Sequence, residues 1–198
     1  MLELGYGDGL LTAALQEQGY QSELLEGSAL LCSKATSLYP SLVVHHSMFE
    51  SFKPQKPYST ILALHVIEHV DNPHLMLRQL RSWLEPQGQL IIVVPNRDSI
   101  HRRLALRMNL IEKLDELSAR DHLVGHQRVY NFETLEKDVH LAGLKPITRF
   151  GSFLKTLPNS MMLDYTDALL SALDGISDSL PPDLLANIGL VVKPQPKP

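Results

Sequence analysis

The chain has 198 residues, a net charge of −4 and 44% hydrophobic residues, which is typical of one soluble globular domain. Its single cysteine, Cys32, excludes an internal disulfide and zinc sites built from several cysteines. No apolar run approaches the ~20 residues that span a membrane, and the acidic balance gives no bulk attraction to nucleic acid, although a local basic patch stays open. Because no signal peptide precedes the first motif, we expect a cytoplasmic protein that binds neither membranes nor nucleic acid.

The first predicted elements are a strand, a tight loop and a helix. A short apolar run contains Glu3, glycines follow at alternate positions (Gly5, Gly7 and Gly9), and a helical pattern runs from Leu10 to Gln18. Glycines allow positive φ and let a ligand lie against bare main chain. The helix directs unpaired N–H groups and a partial positive charge at that ligand. A nucleotide-like ligand is the usual occupant, and an ordinary strand-to-helix turn is the alternative.

The spacing of these glycines separates two families. A dinucleotide-binding fold has G-x-G-x-x-G, with its third glycine where this chain has Leu10. The pattern here, E-x-G-x-G-x-G, resembles the first motif of class I S-adenosyl-L-methionine (SAM) methyltransferases, whose glycine loop holds the methionine end of SAM. The resemblance implies a cofactor role for Glu3, Gly5, Tyr6, Gly7 and Gly9.

That family normally has a longer first strand, with helices before it that help to close the cofactor site. These N-terminal helices are absent here, so we expect either that the chain is a fragment or that other elements form the lid.

The second predicted strand, Gln21 to Leu25, ends at Glu26 and Gly27. An acid ~20 residues after the glycine loop, at the tip of the neighbouring strand, is placed to bind a ribose. A carboxylate suits this role because both ribose hydroxyls can donate to it. We therefore expect Glu26 and Gly27 in the cofactor site, and the alternative for Glu26 is a surface turn residue.

A helix from Ala29 to Tyr39 and a strand from Leu42 to His45 precede the loop 46–50. In the family this loop carries an acid or polar residue for the adenine amino group, followed by a main-chain N–H for a ring nitrogen. The matching positions are Ser47 and Met48, without the usual aspartate. Met48 and Phe49 either stack on the adenine or pack in the core.

The fourth predicted strand, Tyr58 to Leu64, is a near-continuous apolar run, as expected for a strand covered on both faces. It leads into His65-Val-Ile-Glu-His-Val, followed by a proline. This resembles the E-x-x-E-H-V motif of methyltransferases related to the ubiquinone-pathway O-methyltransferases, with His65 in place of the first acid. The resemblance covers residues 1–96, and more loosely 120–150.

Three roles stay open for this second motif. If the segment is helical, His65, Glu68 and His69 share one face and could hold a divalent metal, as the matching set does in some ubiquinone-pathway relatives. Alternatively, His69 is a general base near a substrate hydroxyl or amine. In the third interpretation Glu68 and His69 brace the helix, while His65 and Val66 line the adenine pocket. We favour a site without metal.

The alternation of strands and helices predicts a parallel sheet with right-handed crossovers. A helix from His74 to Leu84, a turn at 85–88 and a fifth strand from Gln89 to Val94 continue the pattern. The resemblance implies an α/β, Rossmann-like sheet of seven strands in the order 3-2-1-4-5-7-6, with the last strand antiparallel and helices on both faces. The motifs all follow strands, at the edge where such sheets bind ligands.

The remaining chain supplies two predicted cap elements, residues 97–126 and 158–186. The first carries arginines interleaved with leucines, which form either a solvated face or a site for a phosphate or carboxylate of the substrate. These arginines are Arg97, Arg102, Arg103 and Arg107. The first cap ends at His126, which we expect to contact the substrate or to transfer a proton. The second is a candidate substrate lid or homodimer contact.

Between the caps, a helix from Asn131 to Gly143 and a sixth strand from Lys145 to Phe153 are predicted, with a seventh strand from Ile188 to Lys193. We therefore expect a single domain over residues 1–193 and a disordered tail over 194–198.

The resemblance implies a SAM-dependent methyltransferase that acts on a small molecule, with S-adenosylhomocysteine as product. Its chemistry is an in-line displacement that the protein promotes by aligning and desolvating the nucleophile. O-methylation is our first choice because histidines cluster at the predicted mouth, with His69 or His126 as the base, and N-methylation is second. The alternatives are a catalytically inactive binding module and, less favoured, a nucleotide-dependent oxidoreductase.

Overall fold

A computed structural model describes residues 1–195. Its centre is one seven-stranded sheet in the order β3-β2-β1-β4-β5-β7-β6. Strand β7 runs antiparallel to both of its neighbours, and the other pairings are parallel. The predicted fold class is confirmed. The strands are β1 Leu2–Leu4, β2 Glu23–Glu26, β3 Val43–His46, β4 Tyr58–Leu64, β5 Leu84–Pro95, β6 Leu144–Ser152 and β7 Asn187–Pro194.

Seven α-helices connect these strands within the described residues, together with short 3₁₀ turns. Polar side chains begin several of them: Asn72 accepts a hydrogen bond from the Leu75 N–H, and Asn131 forms a capping box with Thr134. The helices are α1 Leu10–Glu17, α2 Ala29–Leu38, α3 Pro73–Ser82, α4 Ile100–Arg107, α5 Ala119–Leu123, α6 Phe132–Leu141 and α7 Asp167–Gly175. The 3₁₀ turns are Phe49–Ser51, Asn159–Met161, Ser177–Ser179 and Pro182–Leu184.

The core lies on the central strands. Ile61 and Ala63 of β4 and Leu90 and Ile92 of β5 have no exposed surface, as their apolar runs predict. The amphipathic helix α3 packs Met76, Leu77 and Leu80 into the same core. This rigid centre fixes the carboxyl ends of β1, β2, β4 and β5, from which the candidate site is built. No helix in the described part of the chain has the length and apolar character needed to cross a bilayer.

The predicted start of β5 at Gln89 is wrong, because the strand begins at Leu84. The predicted turn at 85–88 is part of this strand, at a point where the pairing with β4 shifts register between Tyr58 and Thr60. Gly88 lies so close to β4 that an added Cβ would be 2.8 Å from the Tyr58 carbonyl oxygen. The glycine therefore serves a close main-chain approach in an irregular strand, rather than a free turn.

One further expectation needs correction. The predicted disordered tail, 194–198, starts too early, because Pro194 belongs to β7 and the Gln195 N–H donates to the Gly143 carbonyl at 3.0 Å; residues 196–198 lie outside the described part. The second cap element, 158–186, contains one α-helix, α7, and three 3₁₀ turns.

Candidate active site

The glycine loop between β1 and α1 has the conformation that its sequence predicts. Gly5, Gly7 and Gly9 have φ angles of 78°, 51° and 83°, a region that costs other residues roughly 1–2 kcal/mol each. Nothing lies within 4 Å of a Cβ built at Gly7, so the main chain there borders open space. Gly9 is the N-cap of α1, and the unpaired N–H groups of the first turn lie beside the loop.

Glu3 supports this loop from inside the protein. Its side chain is 1% exposed, and both carboxylate oxygens lie 2.9 Å from the Thr12 hydroxyl of α1. Burial raises the pKa of Glu3 to about 7, although the hydrogen bond from Thr12 opposes the shift. Glu3 therefore fastens α1 to β1 and does not face the open side of the loop. Its proposed role in cofactor binding is indirect.

Glu26, at the carboxyl end of β2, faces the glycine loop. Its Oε2 accepts a hydrogen bond of 2.8 Å from the Tyr6 N–H, and its Oε1 accepts one of 2.7 Å from the Ser28 N–H. The carboxylate is largely buried, with 8% exposed. Each oxygen has a second lone pair for another donor, so the group can still bind ribose hydroxyls beside the loop.

The candidate adenine side lies after β3. Met48 is 61% exposed, and its sulfur would be 2.8 Å from a Cβ built at Gly27. Phe49 approaches Gly5, where a Cβ would lie 4.0 Å from the ring. The Ser47 hydroxyl donates to the Met48 carbonyl. The three loop residues therefore border the glycine loop and the tip of β2, as a stacking platform requires, and their contact with adenine stays a prediction.

His65 begins a turn in which it has a φ of 55°, and its N–H donates to the Val93 carbonyl at 2.8 Å. Val66 is 5% exposed and belongs to the core. The segment 65–70 is a turn, and helix α3 begins only at Pro73. The condition for His65, Glu68 and His69 to share one helix face, a helix over this segment, is therefore not met. His65 Nδ1 instead lies 3.1 Å from Glu68 Oε1.

A different set of three side chains comes together at this turn. One ligand atom each from Glu68, His69 and His126 lies within 4.8 Å of the others, and the two imidazole rings meet at 4.7 Å between centroids. Glu68 has no exposed surface, and its Oε2 has no hydrogen-bond partner among the described residues. One carboxylate and two imidazoles suit a divalent metal such as zinc, so this donor set fits the metal that the resemblance suggests.

His126 is oriented by a residue that the sequence analysis did not identify. Its Nδ1 lies 2.9 Å from Asp121 Oδ1. Burial alone would raise the pKa of Asp121, but hydrogen bonds from Ser118 and His126 outweigh it and lower this pKa. The ionised carboxylate can only accept, so in the neutral ring the proton lies on Nδ1 and the lone pair on Nε2. Nε2 lies 4.0 Å from Glu68 Oε1, too far for a hydrogen bond. The capping pattern Ser118-x-x-Asp121 was the available signal.

A second group of polar residues lies at the opposite edge of the sheet, around a cavity of about 450 Å³. Glu23, at the amino end of β2, accepts hydrogen bonds from His45 and Tyr58 and pairs with Lys56. Burial would raise the pKa of Glu23, but these partners outweigh it and lower the pKa to about 2. Ligands of open α/β sheets bind beyond the carboxyl ends of the strands, so this cluster is not the cofactor site.

Comparison with known proteins identifies the family of the chain. The model of a family described as a methyltransferase domain matches residues 1–149. The chain belongs to this family. The prediction of a class I SAM-dependent methyltransferase, made from the two motifs, is confirmed, and the oxidoreductase alternative is set aside.

The similar proteins include methyltransferases whose names give different acceptor atoms, oxygen and nitrogen. The chain is 30% identical over 101 residues to a ubiquinone biosynthesis O-methyltransferase of Rickettsia canadensis (strain McKiel), a match covering 49% of this chain and 43% of that protein. The chain thus spans less than half the length of that methyltransferase. A SAM-dependent methyltransferase from Mesorhizobium loti superposes with a TM-score of 0.66 at 14% identity, over 96% of this chain and 88% of that one. A glycopeptide N-methyltransferase crystallised with SAM superposes with a TM-score of 0.64 at 14% identity, over 99% of this chain and 81% of that one.

Proposed function

We propose that the chain binds SAM at the carboxyl edge of the sheet and transfers its methyl group to a small molecule. The observation that carries the proposal is the Glu26 carboxylate, which faces the glycine loop and keeps free lone pairs. The methionine end would lie on the main chain of residues 5–9 and the ribose on Glu26. The adenine would lie between residues 47–49 and the pair His65 and Val66. Membership of the methyltransferase family supports this assignment.

The reaction is a displacement at the methyl carbon. A lone pair of the acceptor oxygen forms the new bond to carbon, and the electron pair of the sulfur–methyl bond stays on sulfur, which leaves neutral S-adenosylhomocysteine. SAM is already a reactive electrophile. The protein therefore acts mainly by aligning the acceptor in line with the sulfur–methyl bond and by keeping water out. The segments 97–126 and 158–186 are the proposed cover for that acceptor.

His126 is the proposed general base for a hydroxyl acceptor. In the neutral ring Nε2 has the lone pair, because Asp121 fixes the proton on Nδ1, and the side chain is only 14% exposed. The acceptor proton would pass to Nε2 as the carbon–oxygen bond forms. His69 packs against this ring in an edge-to-face arrangement and is the alternative base. Asp121 is a positioning residue.

Oxygen is the preferred acceptor atom, and nitrogen is second. A hydroxyl must lose its proton, and the oriented His126 supplies a base for that step. The similarity to an O-methyltransferase of ubiquinone biosynthesis points the same way. The N-methyltransferase among the structural neighbours keeps nitrogen in second place, since the two share the fold alone.

A metal is a second candidate for activating the acceptor, because Glu68 Oε2 is buried without a hydrogen-bond partner among residues 1–195. Glu68, His69 and His126 would hold the ion, which would lower the pKa of a bound hydroxyl. His126 would then be a ligand and could not serve as the base. The two roles are therefore exclusive and can be separated by experiment.

Mass spectrometry of the purified protein for S-adenosylhomocysteine, with calorimetry of its binding, tests the cofactor assignment. We expect binding of S-adenosylhomocysteine and none of nicotinamide cofactors. A protein that binds neither would be an inactive module, contrary to the proposal. A screen of phenols, amines and sugars with SAM would then identify the acceptor atom.

The base assignment is tested with His126→Asn and His69→Asn. We expect His126→Asn to lower kcat by about 100-fold or more while KM for SAM changes little, since general base catalysis contributes ~10²–10⁴-fold. Asp121→Asn should shift the pH profile of kcat, because an amide does not hold the same tautomer. The exposed His140 provides a matched control, His140→Asn. A loss confined to His69→Asn would move the role to His69.

A further inference from the structure

Four basic side chains gather beside the proposed active site. His101 and Arg102 lie on α4, Arg120 lies on α5, and Lys155 follows β6. Since β6 and β5 both run antiparallel to β7, they are parallel to each other, and Lys155 therefore lies at the same edge as the cofactor loop. Arg102 Nη1 lies 4.0 Å from Oδ2 of Asp121, the residue that follows Arg120 on α5, so α4 and α5 meet at this point. Lys155 lies within electrostatic range of Arg102, Arg120 and Asp121.

Main-chain hydrogen bonds of the two preceding residues hold Lys155 in place, but its ammonium has no partner in the described part of the chain. The Leu154 N–H donates to the Ser177 hydroxyl at 2.9 Å, and the Phe153 carbonyl accepts from the Ala186 N–H at 2.8 Å. The half-buried Lys155 side chain makes no ion pair or hydrogen bond within residues 1–195. Burial first, and then Arg120, lowers its pKa. A half-buried cation without a counter-charge is unfavourable, and a bound anion would remove the penalty.

His101 adds an unused donor. Its Nδ1 is buried without a hydrogen-bond partner among the described residues. Burial, reinforced by Lys155 and Arg102, lowers the pKa of His101 to about 3, so the ring is neutral and can donate one N–H. Arg102 is in a different situation, because it donates to the carbonyls of Leu114 and Glu116 and is 12% exposed at its side chain. Arg102 is therefore structural, and it contributes charge rather than a contact.

Asp121 is the acid nearest to this set, and it is already occupied. Its Oδ1 bonds His126, and its Oδ2 accepts from the N–H and hydroxyl of Ser118. It lies 4.0 Å from Arg102 Nη1. Within residues 1–195 this carboxylate therefore does not pair with Lys155 or Arg120. It does link Arg102 of the basic set to His126, the proposed base.

We propose that Lys155, Arg120 and His101 bind an anionic group, a carboxylate or a phosphate, of the methyl acceptor. The inference rests on the proposed methyl-transfer function. Because Asp121 connects this basic set with His126, one small molecule can place its anion on Lys155 and its hydroxyl at Nε2 of His126. The acceptor class is therefore a hydroxylated acid or phosphate ester, rather than a neutral phenol or alcohol.

The test measures binding of three simple probes to the protein saturated with S-adenosylhomocysteine: phenol, benzoate and phenyl phosphate. By calorimetry at millimolar concentrations, at least one anion should bind about 10- to 100-fold more tightly than phenol, the range expected for charge-assisted hydrogen bonds. The two anions separate a carboxylate site from a phosphate site. Lys155→Met should remove the preference, and Lys155→Arg should retain most of it. Lys145→Met, at the exposed amino end of β6, is the control and should bind like the wild type.

Equal binding of all three probes, or no binding of either anion, overturns the inference. An equal loss in the Lys145→Met and Lys155→Met variants does the same, because it would reflect net charge alone. The titration of S-adenosylhomocysteine that precedes the probes keeps the two proposals apart. Its failure contradicts the methyl-transfer function, whereas normal titration followed by no anion preference contradicts the anion site only. Unchanged melting temperatures of the variants exclude unfolding as the cause.

Discussion

Glu26→Gln is the most informative single change, because Glu26 is where the cofactor assignment and the local structure meet. The carboxylate accepts from two main-chain N–H groups, those of Tyr6 and Ser28, at 2.8 and 2.7 Å. A glutamine keeps only one oxygen. Its NH₂ group would face one of these N–H donors, which would lose its partner in a largely buried position.

The size of the effect follows from the hydrogen bonds. A bond to a charged group contributes about 1.5–3 kcal/mol, against about 0.5–1.5 kcal/mol for a neutral one. In the variant, one hydrogen bond to the carboxylate is lost and the other becomes a weaker bond to a neutral amide oxygen. We therefore expect the free energy of unfolding to fall by about 2–4 kcal/mol. Loss of the charged acceptor for the ribose adds a weakening of S-adenosylhomocysteine binding by about 10- to 100-fold.

The assay pairs calorimetry of S-adenosylhomocysteine with urea unfolding, and Glu23→Gln is the control. Glu23 and Glu26 are the two ends of β2, about 10 Å apart along the strand. Glu23 holds His45, Lys56 and Tyr58, so its variant should also lose stability. Its affinity for S-adenosylhomocysteine should stay within about twofold of the wild type, because the sites are distant. Unaltered affinity in Glu26→Gln, or an equal loss in Glu23→Gln, would refute the ribose assignment.

Three further predictions concern the motifs. Activity should be unaffected by a chelator; a loss that added zinc or magnesium restores would assign Glu68, His69 and His126 to a metal. The free energy of unfolding of the wild type, relative to Glu3→Gln, should fall by about 3 kcal/mol as the pH rises from 4.5 to 7, because the folded protein holds the Glu3 proton more tightly up to a pKa of about 7; parallel stability curves from urea unfolding at each pH would contradict this. His65→Val should be about 1–2 kcal/mol less stable than His65→Asn in thermal unfolding, since residue 65 has a φ of 55° and asparagine tolerates this region better; equal melting temperatures would argue against strain there.

Most element positions could be predicted from the sequence because they depend on local patterns, whereas the sheet order came from the resemblance to the methyltransferase family. The apolar run Tyr58–Leu64 gave β4 with the correct bounds, and the glycine spacing gave the loop conformation at residues 5–9. The irregular start of β5 could not be predicted in this way. Gly88 is needed there because of a neighbour on another strand, and nothing in residues 85–88 records that neighbour.

The candidate site was harder to predict where it depends on tertiary contacts. Glu26 was found because its distance from the glycine loop along the chain reflects one strand–helix–strand unit. The metal hypothesis assumed a helix at residues 65–69, but the positive φ of His65 begins a turn, and a non-glycine residue in that conformation is uncommon. The contact of His126 with Glu68 and His69 joins two segments far apart in sequence, so spacing along the chain could not show it.

The cofactor and acceptor sites are built from different parts of the chain, and this division has a consequence for specificity. The proposed SAM contacts come mainly from residues 3–49, whereas the base, its orienting acid and the basic set come from residues 101–155. The turn 65–70 is the segment shared by both. Substitutions at Lys155 or Arg120 can therefore alter which acceptor binds without changing the contacts of the glycine loop or of Glu26. Changes within 65–70 should affect both ligands together, because that turn borders the proposed adenine pocket and also carries Glu68 and His69.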